Sequence, residues 1–171
     1  AEVGSWQDPE GRKVPDIPTT NGLPRRVFDV QMFVDKDNRP YVFMAYGQTG
    51  GVWVAPLDPN QPNRMTSAPK DLIKSNLDRV WERAGNANER ANFSYMEGPW
   101  VFERNGTYYL QYSAGGTEWQ TYATGYYTAK SPMGPYTAVQ DTPLLRNVTG
   151  VNTGPGHGSA VFQRTGHGNL E

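Results

Sequence analysis

Cysteine is absent from the 171 residues, which excludes a disulfide framework and any zinc site held by thiolates. It also leaves the redox compartment unreadable from cysteine usage. Histidine is scarce, with two residues. Long apolar runs are missing as well. No stretch approaches the roughly 18–20 residues that span a bilayer, and residues 1–20 carry no apolar core of a secretory leader. An excess of one charge is lacking too: 16 Lys plus Arg face 17 Asp plus Glu, for a net charge of −1. With no like-charged run, neither a nucleic-acid footprint nor a membrane-surface patch is expected. A neutral or weakly charged partner fits such a surface.

What is abundant points the other way, to β-structure. Glycine (19) and proline (14) are frequent, and Tyr, Phe and Trp contribute 10, 6 and 5 residues. Turn formers mixed with aromatics suit many short strands joined by tight turns. The length suits one domain with a sizeable core.

Laying the chain on itself shows a repeat. "MFVDKDNRPYVFMAYG" at 32–47 and "VFERNGTYYLQYSAG" at 101–115 share one order: apolar residue, Phe, polar turn, aromatic strand. In the first copy Phe28, Val30, Met32 and Val34 alternate with polar residues, as a half-buried strand should. Asp37-Asn38 is the turn, Tyr41 to Tyr46 the return strand, and Val52 to Ala55 a third strand. In the second copy Trp100 to Phe102 lead into Asn105-Gly106, a strong hairpin signal because both residues tolerate positive φ. Thr107 to Ser113 return, a third strand is expected from about Trp119 to Thr128, and "SPMGPYTAV" turns into a short fourth. A third copy begins at "GPGHGSAVFQRTGHGN", where Val161-Phe162 matches Val101-Phe102. Antiparallel units of about four strands repeated in this way predict an all-β fold, a partial β-propeller of about two complete blades and the start of another. The expected divisions of the single domain 1–171 are an extended connection over 1–24, a blade over 25–70, a loop over 71–94, a blade over 95–140, and the start of a further blade over 141–171. Within 71–94, Ile73, Leu77, Val80 and Trp81 lie near helical spacing and predict one short helix.

Each copy carries one polar residue ahead of its apolar pair: Asp29, Glu97 and His157. Innermost propeller strands run parallel around the axis, so these positions should converge at one end of the central channel. Neighbouring Gly and Pro would let the backbone approach closely there.

"FDVQMFVDKDNRPYVF", "EGPWVFERNGTYYLQYS" with the following "SPMGPY", and "GPGHGSAVF" together resemble consecutive motifs of glycoside hydrolase family 43, the five-bladed propeller arabinofuranosidases, xylosidases and arabinanases. The resemblance covers about residues 25–165. It implies inverting hydrolysis of O-glycosidic bonds in plant-type polysaccharides, with Glu97 as general acid and Asp29 as the carboxylate that orients the acid and tunes its pKa. It also implies a secreted or periplasmic enzyme, the alternative being a cytoplasmic one. His157 resembles the histidine that many members hold near a metal ion or water cluster in the central channel. A calcium ion there is an implied option, and no cofactor is otherwise required. The general base of the family is an Asp on an inner strand ahead of the pKa-tuning Asp. Asp8, in "WQDPEGR", is followed by "KVPDIP" and by no aromatic strand, so it is not assigned.

Other readings stand beside these. Glu97 could be a solvated strand-start acid, Asp29 a strand-end carboxylate accepting backbone hydrogen bonds, and His157 a structural hydrogen-bonder or a substrate contact. Trp53, Trp100 and Trp119 are candidate sugar platforms or inter-blade packing, with Trp100 favoured as a platform for its place beside the acid motif. "DKDN" at 35–38 and His167 read as turn and tail. At the level of function, a glycosidase competes with a non-catalytic glycan-binding module and with a structural fragment that folds only by association. Missing blades would then come from a complementary fragment or a second copy of the chain, and the substrate would be an oligo- or polysaccharide.

Overall fold

The structure is a computed structural model that describes Glu10, residues 27–46 and residues 51–161. Asp8, Phe162, His167 and the connection over 1–24, apart from Glu10, lie outside the described residues. The order of elements is β1 (Val27–Val34), β2 (Pro40–Tyr46), β3 (Gly51–Asp58), β4 (Gln61–Met65), β5 (Lys70–Lys74), a 3-10 turn (Val80–Glu82), β6 (Met96–Arg104), β7 (Thr107–Ala114), β8 (Ala123–Ala129) and β9 (Thr137–Ala138).

The strands form two antiparallel sheets. In the first, β1, β2 and β3 pair in sequence, and the outer edge of β3 is shared by β4 and β5. The second is a meander in the order β6-β7-β8-β9. Both start at the strand nearest the other sheet, where Gln31 of β1 spans to β6. Its amide donates to the Val101 carbonyl at 3.0 Å and accepts from the Val101 N–H at 2.5 Å.

Between the sheets lies a shared core. Tyr41, Phe43, Val52, Val54 and Ile73 pack on Met96, Val101, Leu110, Tyr112 and Tyr127. Each fully buried Val, Leu or Phe contributes about 1.5–3 kcal/mol, so this seam is the main cohesive element between the blades. A second cluster, with Val42, Met44, Trp53, Leu57 and Met65, covers the opposite face of the first sheet.

Three expectations differ from the structure. The helical spacing over 73–81 does not produce an α-helix: Ile73 belongs to β5, and only the 3-10 turn Val80–Glu82 forms. Ile73 is 6% exposed because it faces the inter-sheet core, so its burial follows strand pairing and not a helical face. The third strand of the second copy begins at Ala123 and not near Trp119, since residues 116–122 turn back through Trp119 N–H to Gly116 C=O and Tyr122 N–H to Trp119 C=O bonds. In the third copy, residues 153–161 form no strand.

The Asn105-Gly106 turn has the expected geometry, with φ of 52° and 73° at its two residues. A Cβ at residue 106 would meet nothing within 4 Å, so substitution there is opposed by the backbone conformation alone. Gly106→Val should therefore lower stability by about 1 kcal/mol or more, read as a fall in Tm; an unchanged Tm would refute the strained turn.

The 75–95 segment is pinned by Glu82, which is fully buried. Its carboxylate accepts from the Asn76 N–H at 2.7 Å, the Tyr112 hydroxyl at 2.8 Å and Arg79 at 3.1 Å. Burial pushes the Glu82 carboxyl up from its ordinary value, and those three donors oppose it. For an acid whose folded value is raised, the stability from its neutral form is complete below the unfolded value and is lost as pH rises through the folded value. Arg79→Met removes the compensating cation. It should cost about 3 kcal/mol near neutral pH and clearly less near pH 5, in paired denaturant titrations.

Candidate active site

The inner strands β1 and β6 share a local irregularity. In β1 the pairing steps from Phe28 opposite Ala45 to Gln31 opposite Phe43, and in β6 from Glu97 opposite Ser113 to Trp100 opposite Gln111. Each is a one-residue bulge, and each bulge holds a residue of positive φ, Asp29 at 50° and Gly98 at 58°. His157, at φ 55°, takes the same conformation in the third copy. By position in the bulge, Asp29 is equivalent to Gly98, while Glu97 lies one residue earlier. The sequence spacing had set Asp29, Glu97 and His157 as equivalents; the bulge displaces Glu97 by one.

This offset ties Asp29 to the backbone beside Glu97, while the two carboxylates have separate partners. Asp29 Oδ2 accepts from the Gly98 N–H at 3.0 Å, so Asp29 is tied to the residue that follows Glu97. His157 Nδ1 lies 3.9 Å from the same Asp29 oxygen. The Glu97 carboxylate accepts from the Tyr122 hydroxyl at 2.7 Å. Tyr122, 4% exposed, was not singled out in the sequence because it lies in an irregular turn ahead of β8, where no periodicity marks it.

A cleft of about 430 Å³ opens beside these groups, lined among others by Asp29, Gln31, Gly98, Trp100 and His157. Glu97 is not in that lining, and Asp29 is its one carboxylate among the described residues. Trp100 contributes to the wall while its indole N–H donates to the Ala160 carbonyl at 2.9 Å, which fastens the 157–161 segment beside β6. Of the other tryptophans, Trp53 packs on Tyr46 and Trp119 on Tyr95, Phe93 and the Arg90 guanidinium.

The segment Gly154–His157 passes over the ends of β7 and β8 as a strap. Gly154 N–H donates to the Gln120 carbonyl at 3.1 Å, the Thr124 hydroxyl to the Pro155 carbonyl at 2.9 Å, and His157 N–H to Ser113 Oγ at 2.6 Å. A Cβ on Gly156 would fall inside the Tyr122 ring, so glycine there permits the strap to lie directly on that side chain.

No group of three or more His, Cys, Asp or Glu side chains capable of holding a metal occurs among the described residues. Calcium takes six to eight oxygen ligands, and the pairing of His157 with one carboxylate does not fit that requirement. The acids of the 35–38 turn serve structure instead: Asp35, 8% exposed, accepts from the Lys36 N–H at 2.8 Å and the Tyr108 hydroxyl at 2.6 Å.

Two consecutive antiparallel blades with polar groups gathered at the starts of their inner strands are a β-propeller site architecture. Comparison with known proteins agrees. The family model described as Glycosyl hydrolases family 43 matches residues 1–170, and the chain belongs to that family. A Beta-D-galactofuranosidase of Aspergillus niger is 30% identical over 138 residues, covering 81% of this chain and 34% of that protein. An Arabinoxylan arabinofuranohydrolase of Bacillus subtilis is 33% identical over 148 residues, 79% of this chain and 26% of its own length. Among solved structures, a thermostable family-43 glycoside hydrolase superposes with a TM-score of 0.70 at 26% identity, over 92% of this chain and 49% of that one. An endo-1,4-β-xylanase of Bacteroides thetaiotaomicron gives 0.69 at 28% identity, over 84% and 46%. The chain thus spans from a quarter to a half of the length of these relatives.

The Gln31 clamp sets the distance between β1 and β6 and with it the placement of Asp29 against Gly98. Gln31→Leu keeps the volume but strands the Val101 N–H and C=O, at a cost of about 2 kcal/mol. Urea unfolding of the variant measures this, and an unchanged midpoint would show that the clamp does not hold the inner strands together.

Proposed function

We propose that this chain carries the acid side of an inverting glycosidase site, acting on O-glycosidic bonds of arabinose- or xylose-containing polysaccharides. The observation that supports this reading is the Asp29 Oδ2 contact at 3.0 Å to the N–H of Gly98, the residue next to Glu97. Glu97 is the proton donor to the glycosidic oxygen, which is a poor leaving group unless protonated as the bond breaks. Asp29 is the second carboxylate, orienting the acid and tuning its proton affinity. Trp100 and His157 form the wall against which a sugar ring would rest. The names of the relatives support furanoside and xylan substrates.

Inversion needs a base across the sugar, about 6.5–9.5 Å from the acid, to take a proton from the attacking water. That base would come from a further inner strand. Part of β1 is open to such a neighbour: Val30, Met32 and Val34 are 46%, 49% and 55% exposed, and Val30 and Met32 also line the cleft beside Gly98 and Trp100. We propose that another blade covers this part of β1, supplied by additional sequence, a complementary fragment or a second copy of the chain. Action outside the cytoplasm, in a secreted or periplasmic setting, suits a polymeric substrate.

The lone carboxylate in the cleft favours a second reading, a glycan-binding module without turnover. Aryl α-L-arabinofuranosides and aryl β-xylosides distinguish the two. Glu97→Gln keeps the shape and removes the proton donor, so it should reduce hydrolysis by at least about a hundredfold with Tm unchanged. Undiminished turnover would assign protonation to another residue, and retention on arabinoxylan with no turnover in the parent chain would favour the binding module.

A further inference from the structure

We infer that Tyr122 is a positioning residue for Glu97: its hydroxyl fixes one carboxylate oxygen so that the other is presented to the glycosidic bond. The inference rests on the hydrolase reading above and names a group outside it. Tyr122 Oη donates to Glu97 Oε1 at 2.7 Å, a charge-assisted bond in the short range typical of O–H to carboxylate. With Oε1 engaged, Oε2 is the atom left to carry and release a proton. A carboxylate free to rotate would present either oxygen, and only one rotamer would meet the substrate.

Tyr122 is itself held in one place. It is 4% exposed, and its ring packs under Gly156, where no side chain fits, and against Gly154, where an added Cβ would lie 3.5 Å from Tyr122 Cβ. Its own N–H is used by the Trp119 carbonyl at 3.1 Å. The strap that covers the ring is the one that fixes His157 beside Asp29, through the His157 N–H to Ser113 bond at 2.6 Å and the His157–Asp29 approach at 3.9 Å. One short segment therefore packs on Tyr122, the partner of Glu97, and also carries His157 to within 3.9 Å of Asp29. Burial, then the bond to Glu97, pushes the Tyr122 phenol well above its ordinary range, in keeping with its role as donor.

Tyr122→Phe tests this, because the ring and its packing remain and only the hydroxyl is lost. The first readout needs no activity: the side-chain carboxyl 13C resonance of Glu97, assigned by its loss in Glu97→Gln, is compared at pH 8 in the parent and in Tyr122→Phe. It should move, since the ring current is retained and the hydrogen bond is gone. The second is kinetic. On a substrate with an alkyl or sugar leaving group kcat should fall about tenfold or more with KM within about twofold, and on a nitrophenyl glycoside, which needs little protonation, the loss should be much smaller. An unmoved resonance overturns the contact. A moved resonance with unchanged kcat, or an equal loss on both substrates, overturns the positioning role. The kinetic arm is run with the base-bearing blade present; if neither substrate is then turned over, the hydrolase reading is defeated instead, and the resonance alone decides whether the hydroxyl orders the carboxylate.

Discussion

The left-handed kink in each inner strand is the constraint on which the site depends. An unbroken strand alternates its side chains strictly between two faces, and both faces of an inner propeller strand are committed to packing against neighbouring blades. A single extra residue of positive φ breaks that alternation and turns a side chain toward the end of the channel. Asp29, Gly98 and His157 occupy that conformation at φ 50°, 58° and 55°. Asp and His are among the few residues with side chains that tolerate it, and Gly adopts it freely. In β6 the glycine takes the kink, so Glu97 sits on the preceding residue, and the buried Gly98 N–H becomes the donor to Asp29.

The rest of the site follows from closing space around that kink. A Cβ on Gly98 would come within 3.2 Å of the His157 ring, so a side chain there would crowd the third copy where it lies across β6. From there the strap runs back over Tyr122, with Pro155 and His157 hydrogen-bonded to Thr124 and Ser113 of the two neighbouring strands. Two inner strands thus place Asp29 and Glu97, while Tyr122 and His157 are held in irregular segments by hydrogen bonds to their neighbours. The two carboxylates on regular elements hold their geometry more tightly than groups built on loops would.

Much of the fold was legible because it repeats. The Phe, polar turn and aromatic strand recurring across the two copies located β1, β2, β6 and β7, and Asn105-Gly106 marked its hairpin by the chemistry of its two residues. Glu97 and Asp29 stood out as isolated acids in apolar strands. What was illegible has physical causes. Ile73 and Trp81 carry a helix-like spacing, yet Ile73 is buried by pairing with Val52 in β3, a contact between residues far apart in the chain. The one-residue offset between Asp29 and Glu97 comes from the bulge, and a bulge at Asp29 has no Gly or Pro within it to announce the kink. Tyr122 was missed for a related reason: its partner is 25 residues away and its turn has no alternation to read.

Two glutamates in this chain show why electrostatic perturbation alone does not locate chemistry. Glu82 is fully buried, held by three donors and shifted upward by burial, which by itself would mark it as a functional candidate. Every lone-pair direction it uses is directed at protein, and the surrounding Arg79, Tyr112 and Tyr127 form a closed network that ties the 75–95 segment to β7 and β8. A substrate could reach it only by dismantling that network. Glu97 is half-buried, at the start of an inner strand beside a cleft, with one oxygen engaged by Tyr122. Catalysis requires a carboxylate that is ordered and still incompletely satisfied, since the unsatisfied position is where the reacting atom must come. By that criterion the two acids differ in what their oxygens leave open, which favours Glu97 over Glu82 as the proposed proton donor.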